Sequence, residues 1–404
     1  MKKRLFILLL LLTQSYALLS IVVNYFAGED AAVLFGSGIA AAVFMVLGIA
    51  YCVGNSRIIA SSPMVIKYAL LYVFFALITF VCFARQDFKQ DVKTFYETSQ
   101  WVVLFLVGYI IAYKSDSDRR WIVKYFLYVL YPLVAGIVIW QSFSVLESQE
   151  LRVFDISFAM LVIFPFAFLS RSSVLKMVLI VATGVVTILS FKRTSVIAYS
   201  IVMLLYGFWV ATNPVYSAKK RFFTVLVFVA GVAVLFGAFQ RAESESGGYM
   251  VQRLMNISQD KGSNRVGLYT KLWENQETAT SAELLLGNGY RSVKEKFNIL
   301  AHNDLLEVMY DFGFLALAAF LLLYFQLFRY GYRFYKRRRV FGDASQAYIM
   351  GLILLFFLGM FNCLITSPAY FSMLMLFFGL SIGFYERTAL RYRTETGPIK
   401  EPVL

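Results

Sequence analysis

The sequence contains a single histidine, His302, whose setting suits proton transfer. It precedes Asn303, a favourable N-cap residue, and the carboxylates of Asp304 and Glu307 suit the positive end of a helix dipole. We therefore expect His302 at a helix N-terminus, where its imidazole could accept a proton near neutral pH. On position alone, a histidine that only borders the helix at the membrane surface is the alternative.

Several cations could bind an anionic group. Lys192 and Arg193 lie between two apolar runs, and charges at a membrane edge are often functional. A guanidinium fits phosphate oxygens, although contact with lipid headgroups would also explain this pair. Arg265 begins a predicted helix whose N-terminus would add anion affinity, or it is a solvated loop arginine. Arg291 is expected to be a solvated charge.

Other chemistries lack the residues that they need. No phosphate-binding glycine loop and no GxSxG elbow occurs in the sequence. With one histidine and no cysteine cluster, we predict neither a metal site nor a cofactor. One base and several cations suit a reaction on a lipid-linked diphosphate, which carries its own leaving group.

The composition is that of a membrane protein. Hydrophobic residues make up 60% and aromatic residues 18% of the 404 residues, and the mean hydropathy is +0.68. Soluble domains are roughly 45–50% apolar. The net charge of +14 does not indicate nucleic-acid binding, because the basic residues fall in short loops between apolar runs.

A helix that crosses a membrane needs about 20 mostly apolar residues. About twelve candidates follow from the apolar runs, which are 5–27, 31–54, 64–84, 99–113, 121–143, 153–170, 174–191, 194–211, 221–240, 304–328, 344–366 and 369–385. The first resembles a signal peptide, but its apolar run is long enough to favour an uncleaved anchor. The sequence therefore predicts an all-α polytopic membrane protein.

The distribution of Lys and Arg predicts the orientation. Every second short loop is basic, which places both termini in the cytoplasm and residues 241–302 outside it. The predicted organisation is helices 1–9 in 1–240, a periplasmic loop in 241–302, helices 10–12 in 303–390 and a polar tail in 391–404. Amphipathic helices near 249–258 and 264–279 could roof a cavity, the second with Val266, Tyr269 and Trp273 on one face.

Four strings in this sequence resemble the bacterial O-antigen polymerase and O-antigen ligase family. His302-Asn303, nine residues, Gly313, two residues and Ala316 is similar to its histidine motif, although ligases usually have Gly, Thr or Tyr at the last position. The other strings are Ser190–Thr194, Gly262–Trp273 and Leu286–Tyr290. Together they span about residues 186–320.

The resemblance implies a glycosyltransferase of the inner membrane with a GT-C-like fold and an active site that faces the periplasm. Its donor would be a glycan on undecaprenyl diphosphate within membrane lipid, and a chain-length regulator is a candidate partner. Arg193 and Arg265 would hold the diphosphate, Lys192 would assist, and His302 would accept the proton of the attacking hydroxyl, with inversion. The candidate supporting residues are Asn303, Asp304, Tyr269 and Arg291.

Three functions remain open at this point. A polymerase would transfer the growing glycan to a new lipid-linked repeat unit. The resemblance of Lys192–Thr194 and Asn303–Gly313 to capsular and exopolysaccharide polymerases favours this function. A ligase would transfer the finished glycan to a lipid A core. A transporter or flippase without catalysis is the third, although neither paired repeats nor discontinuous helices are visible in the sequence.

Overall fold

The computed structural model describes residues 6–9, 11–12, 15–16, 42–43, 45–83, 88–147, 157–190, 192–213, 216–245, 247–248, 251–252, 255, 265–362 and 364–396. The regular structure in this part of the chain is helical, with no strand. Most of the first predicted helix, half of the second and most of 249–258 lie outside these residues.

The named helices run in the following order. They are α1 (Ser56–Ala60), α2 (Met64–Cys82), α3 (Phe88–Lys114), α4 (Asp116–Tyr125), α5 (Tyr131–Glu147), α6 (Ser157–Ala167), α7 (Ser173–Leu189), α8 (Arg193–Thr212), α9 (Ala218–Glu245), α10 (Arg265–Glu277), α11 (Ser281–Leu286), α12 (Ser292–Phe297), α13 (Asp304–Lys336), α14 (Arg338–Phe341), α15 (Asp343–Asn362) and α16 (Pro368–Thr396).

Multiple apolar helices confirm a multi-pass membrane protein. Six segments of the described chain are long and apolar enough to cross a bilayer, namely Met64–Cys82, Asp116–Ile139, Arg193–Thr212, Asp304–Lys336, Asp343–Asn362 and Ala369–Tyr392. The predicted spans at 153–170, 174–191 and 221–240 correspond to shorter apolar helices. The count of twelve spans stays a prediction.

The connection between α4 and α5 is a π-helical turn, Phe126–Leu130. Pro132 follows after Tyr131 and has no N–H to donate to the carbonyl four residues earlier. Prolines and π-bulges both interrupt the regular hydrogen bonding of a helix. The apolar segment therefore continues across Pro132 as one membrane-crossing unit.

Helices α3 and α16 pack together unusually closely. Gly379 and Gly383 lie one turn apart on α16, and a Cβ atom at these positions would meet the carbonyl oxygens of Phe105 and Tyr109 at 2.2 and 2.3 Å. Small residues at this spacing let two backbones approach within a membrane. Helix α16 continues to Thr396, so the first part of the predicted tail is helical.

Helix α13 is bent where α11 ends against it. Gly313 has φ 74° and ψ −178°, which separates a short first arm from a long second arm. A Cβ atom on Gly313 would lie 2.4 Å from the amide nitrogen of Gly287, and Gly287 itself has φ 84°. Only glycine adopts this backbone region readily. The bend brings α11 and its C-terminal Gly287 against the long apolar helix α13.

Candidate functional site

His302 lies in a turn that is anchored on both sides. The amide of Ala301 donates to Oε2 of Glu307 at 2.8 Å, and Oδ1 of Asn303 accepts from the amides of Leu305 and Leu306 at 2.9 and 3.2 Å. Asn303 is therefore the N-cap of α13, which confirms the predicted helix N-terminus.

The backbone of His302 is itself unusual. It adopts φ 53°, in the left-handed region that few residues other than glycine enter, although Asn, Asp and His do so more readily than most. The side chain is half-buried. The turn thus presents the imidazole from a rigid backbone at the edge of the apolar core.

Helix α10 packs over this turn through a small apolar cluster. The buried members of the cluster are Leu268, Leu272, Val293, Ala301 and Tyr310. The amide Nδ2 of Asn275 also donates to the hydroxyl of Tyr310 at 2.6 Å. Ala301 adjoins His302, and the half-buried Arg265 begins the same helix. The predicted helix at 264–279 is confirmed, and it covers the histidine turn.

Leucines provide the buried contacts of α10. Leu268 and Leu272 are buried in the cluster, the half-buried Tyr269 packs against it, and Trp273 is 58% exposed. Tyr269 of the predicted face therefore contacts the cluster, whereas Trp273 lies on the surface. The leucines fill the narrow space above Ala301, and Trp273 is left on the outer surface.

Two hydrogen bonds bring the early cations to the same end of the molecule. Thr194 Oγ1 donates to Oδ1 of Asn362 at 3.3 Å, and the amide of Ile365 donates to Oδ1 of Asp304 at 2.9 Å. A three-residue 3-10 turn, Leu364–Thr366, lies between α15 and α16. The start of α8 and the start of α13 therefore share the loop that follows α15.

Lys192 and Arg193 occupy the N-terminus of α8. Lys192 is its N-cap residue, and Arg193 is its first helical residue. The ammonium of Lys192 lies 5.3 Å from the ring centroid of Phe158, within the range of a cation–π contact. Both side chains are half-buried, so they lie at the boundary between the helix bundle and its surface.

Asp311 has a structural partner set of its own. Its carboxylate accepts from the Arg291 amide at 2.8 Å, the Ser292 hydroxyl at 2.7 Å and the Val293 amide at 3.4 Å. It thus caps α12. These bonds of Asp311 therefore orient the chain segment at the start of α12.

Arg291 is not a solvated charge. Its guanidinium forms an ion pair with Glu97 on α3, with an N–O distance of 2.9 Å. The neighbouring Tyr290 packs on Phe312 with ring centroids 5.7 Å apart, and burial raises the pKa of the Tyr290 hydroxyl. These contacts hold Tyr290 and Arg291 against the helix bundle. A supporting role for Arg291 in the site stays a prediction.

The contacts of Asn362 and Ile365 with the starts of α8 and α13 were not predicted from the sequence. The predicted helix 344–366 ran through both residues, whereas α15 ends at Asn362. Pro368 and the polar Ser367 signal a break close by, because helices usually stop before a proline. The apolar residues between Asn362 and Ser367 continue the apolar run of the helix, so the break was not recognised in the sequence.

A comparison with protein families identifies the part of the chain that holds these residues. A family model described as O-antigen ligase matches residues 177–321. This segment of the chain is therefore similar to the O-antigen ligase family. The match covers less than half of the chain, but it contains the cations at 192 and 193, Arg265 and the His302 turn. A search of curated protein sequences returns no match.

The O-antigen ligase segment gives the site a chemical setting. Members of this family are glycosyltransferase-like enzymes of polysaccharide assembly that act on lipid-linked glycans in the membrane. Within the described residues, no group of three His, Cys, Asp or Glu side chains could hold a metal ion.

Proposed function

We propose that this chain is a membrane glycosyltransferase that polymerises undecaprenyl-diphosphate-linked repeat units into O-antigen or a related surface polysaccharide. The observation that carries the proposal is the shared loop after α15. It bonds the start of α8, beside Arg193, and the start of α13, beside His302. This shared loop supports the proposal because it links the neighbours of Arg193 and His302, which are far apart in the chain.

His302 would act as the general base. It takes the proton from a sugar hydroxyl at the non-reducing end of the acceptor repeat unit, and that oxygen attacks the anomeric carbon of the donor. The bond from the anomeric carbon to the phosphate oxygen breaks, and the diphosphate leaves with the electron pair. Attack opposite the leaving group inverts the anomeric centre.

Arg193 and Arg265 would hold the diphosphate, with Lys192 beside them. Negative charge collects on the leaving group in the transition state, so fixed cations stabilise that state more than the ground state. All three side chains are half-buried, which strengthens their interaction with an anion relative to bulk water. These cations would thus stabilise the negative charge of the leaving group without a metal ion.

The proposal includes the setting in the cell. The chain would lie in the bacterial inner membrane with twelve spans and a GT-C-like fold, with both termini cytoplasmic. The basic short loops support this orientation, which places the His302 turn at the periplasmic face. The partners would be the lipid-linked glycan, membrane lipid and a chain-length regulator.

An O-antigen ligase is the second candidate, because the matching family model carries that description. The two reactions share the donor, the base and the leaving group. They differ only in the acceptor, which is a lipid-linked repeat unit for a polymerase and a lipid A core for a ligase. The choice of acceptor thus decides between them.

The decisive test uses purified protein, one synthetic lipid-linked repeat unit, a metal chelator and no other acceptor. A ladder of products on a gel is expected for a polymerase. Product that forms only after a lipid A core is added would replace polymerase by ligase. Absence of new glycosidic bonds under both conditions, with lipid-linked glycan crossing the bilayer of reconstituted vesicles, would replace catalysis by transport.

A further inference from the structure

A cavity lies at the end of the molecule opposite His302. Helix α13 begins at the histidine turn and α15 ends there, so Asp343, the first residue of α15, is at the far end. A cavity of about 730 Å³ borders Asp343. This volume falls within the range of ligand sites, roughly 300–1,000 Å³.

Cations dominate the wall of this cavity. The basic residues that line it are Arg119, Arg120, Lys124 and Arg171. They come from α4 and from the loop before α7, so the charge is assembled from two separate parts of the chain. Basic pockets of this kind between membrane helices suit the phosphate of an anionic ligand.

The nearby carboxylates do not neutralise these cations. Asp116 is shared by Arg119 and Arg120, at 2.9 and 3.3 Å, and Asp343 forms an ion pair with Lys176 at 3.0 Å. Lys124 and Arg171 form no ion pair with any carboxylate that the structure describes. The cavity therefore keeps a net positive charge.

Arg119 is also held in position. Its guanidinium lies 3.8 Å from the ring centroid of Phe384, and Nε donates to Oδ1 of Asp116 at 2.9 Å. Arg120 and Arg171 line the same cavity, so three guanidinium groups border one space. An anion between like charges in a cavity stabilises them.

The rest of the wall is suited to lipid. Leu127, Leu169 and Tyr128 line the cavity, and Tyr128 is 61% exposed. Val129 and Leu133 are exposed further along the same membrane-crossing segment. Trp121 also lines the cavity, and aromatic residues favour the boundary between headgroups and acyl chains. An acyl chain therefore has an apolar path directly below the cations.

We infer that this cavity binds the phosphate-bearing headgroup of an anionic phospholipid. The guanidinium groups would bond the phosphate oxygens, and the acyl chains would lie along α4 and α5 below Tyr128. The basic loops predict that this end faces the cytoplasm, where the ligand would come from the inner leaflet. The inference is independent of the polymerase proposal, since none of its residues lies near His302.

Native mass spectrometry of the delipidated full-length protein tests the inference. The probes are phosphatidylglycerol, diphosphatidylglycerol, phosphatidylethanolamine and inorganic phosphate. We expect the two anionic lipids to bind more tightly than phosphatidylethanolamine. The double variant Arg120→Gln/Arg171→Gln should weaken their binding about 30-fold, because each cation near a charged lipid contributes appreciably.

Matched variants make the result specific. Lys336→Gln/Arg339→Gln removes the same charge from exposed residues at the same end but outside the cavity, and should leave binding within about two-fold. Arg171→Gln alone, an exposed loop change, gives a readout if the double variant does not fold. Equal losses in cavity and control variants, or full competition by inorganic phosphate, would overturn a lipid site.

Discussion

The amide of Ala301 donates to the carboxylate of Glu307 at 2.8 Å, and this bond closes the turn that carries His302. Both residues are buried. The bond spans the N-cap residue Asn303, so it fixes the chain before the helix to the first turn of the helix. The only histidine of the protein is thus held between two local anchors.

Replacing Glu307 tests how much this anchor matters. Glu307→Ala leaves a buried amide without its acceptor, which costs about 1–3 kcal/mol. We expect a lower melting temperature and a marked loss of polymer formation. Glu307→Gln keeps an acceptor oxygen and should retain most of both. If the two variants behave alike in melting and in activity, the bond to Ala301 does not position the turn.

The substitution His302→Asn tests the role of the imidazole separately from the role of the left-handed backbone conformation. Asparagine tolerates the left-handed conformation at φ 53° but cannot serve as a base at neutral pH. We expect the melting temperature to stay unchanged while the turnover number falls about 100- to 10,000-fold. Asn298→Ala, at another left-handed position, is the control for backbone effects alone. Near-normal turnover in His302→Asn would remove the histidine from the chemistry.

Arg193→Ala addresses the donor diphosphate. A charge-assisted hydrogen bond contributes about 1.5–3 kcal/mol, so kcat/KM for the lipid-linked donor should fall about ten- to 100-fold. Arg193→Lys keeps the positive charge but loses the two-pronged hydrogen bonding of the guanidinium group. Its kcat/KM should lie between the values of the wild-type protein and Arg193→Ala. Arg339→Ala removes an exposed positive charge at the far end of the molecule and is the control for the change in net charge. Steady-state kinetics that leave kcat/KM unchanged in Arg193→Ala would exclude the predicted role.

Gly313→Ala probes the bend of α13. The substitution places a Cβ atom 2.4 Å from the backbone of Leu285 and Gly287, and it strains the backbone by about 1–3 kcal/mol. We expect faster trypsin cleavage in the outer loop and reduced activity. Gly267→Ala meets open space on α10 and should stabilise that helix by about 1 kcal/mol. Equal protease resistance of the two variants would show that the bend tolerates a side chain.

Local patterns correctly predicted the elements around the site. Asn303 followed by carboxylates marks a helix start, since these residues satisfy the free amides of the first turn. The helix predicted at 264–279 from helical spacing corresponds to α10, Arg265–Glu277. The spacing did not identify Leu268 and Leu272 as the buried residues, because only the neighbouring elements decide which face of a helix is covered.

The sequence by itself determined that this chain is helical, crosses a membrane several times and starts a helix directly after its one histidine. These properties depend on composition and on residues a few positions apart. Only the tertiary structure decided that Thr194 meets Asn362, that Arg291 pairs with Glu97 and that Gly287 contacts Gly313. Such contacts join residues far apart in the chain, and they depend on how the helices pack, which no local periodicity specifies.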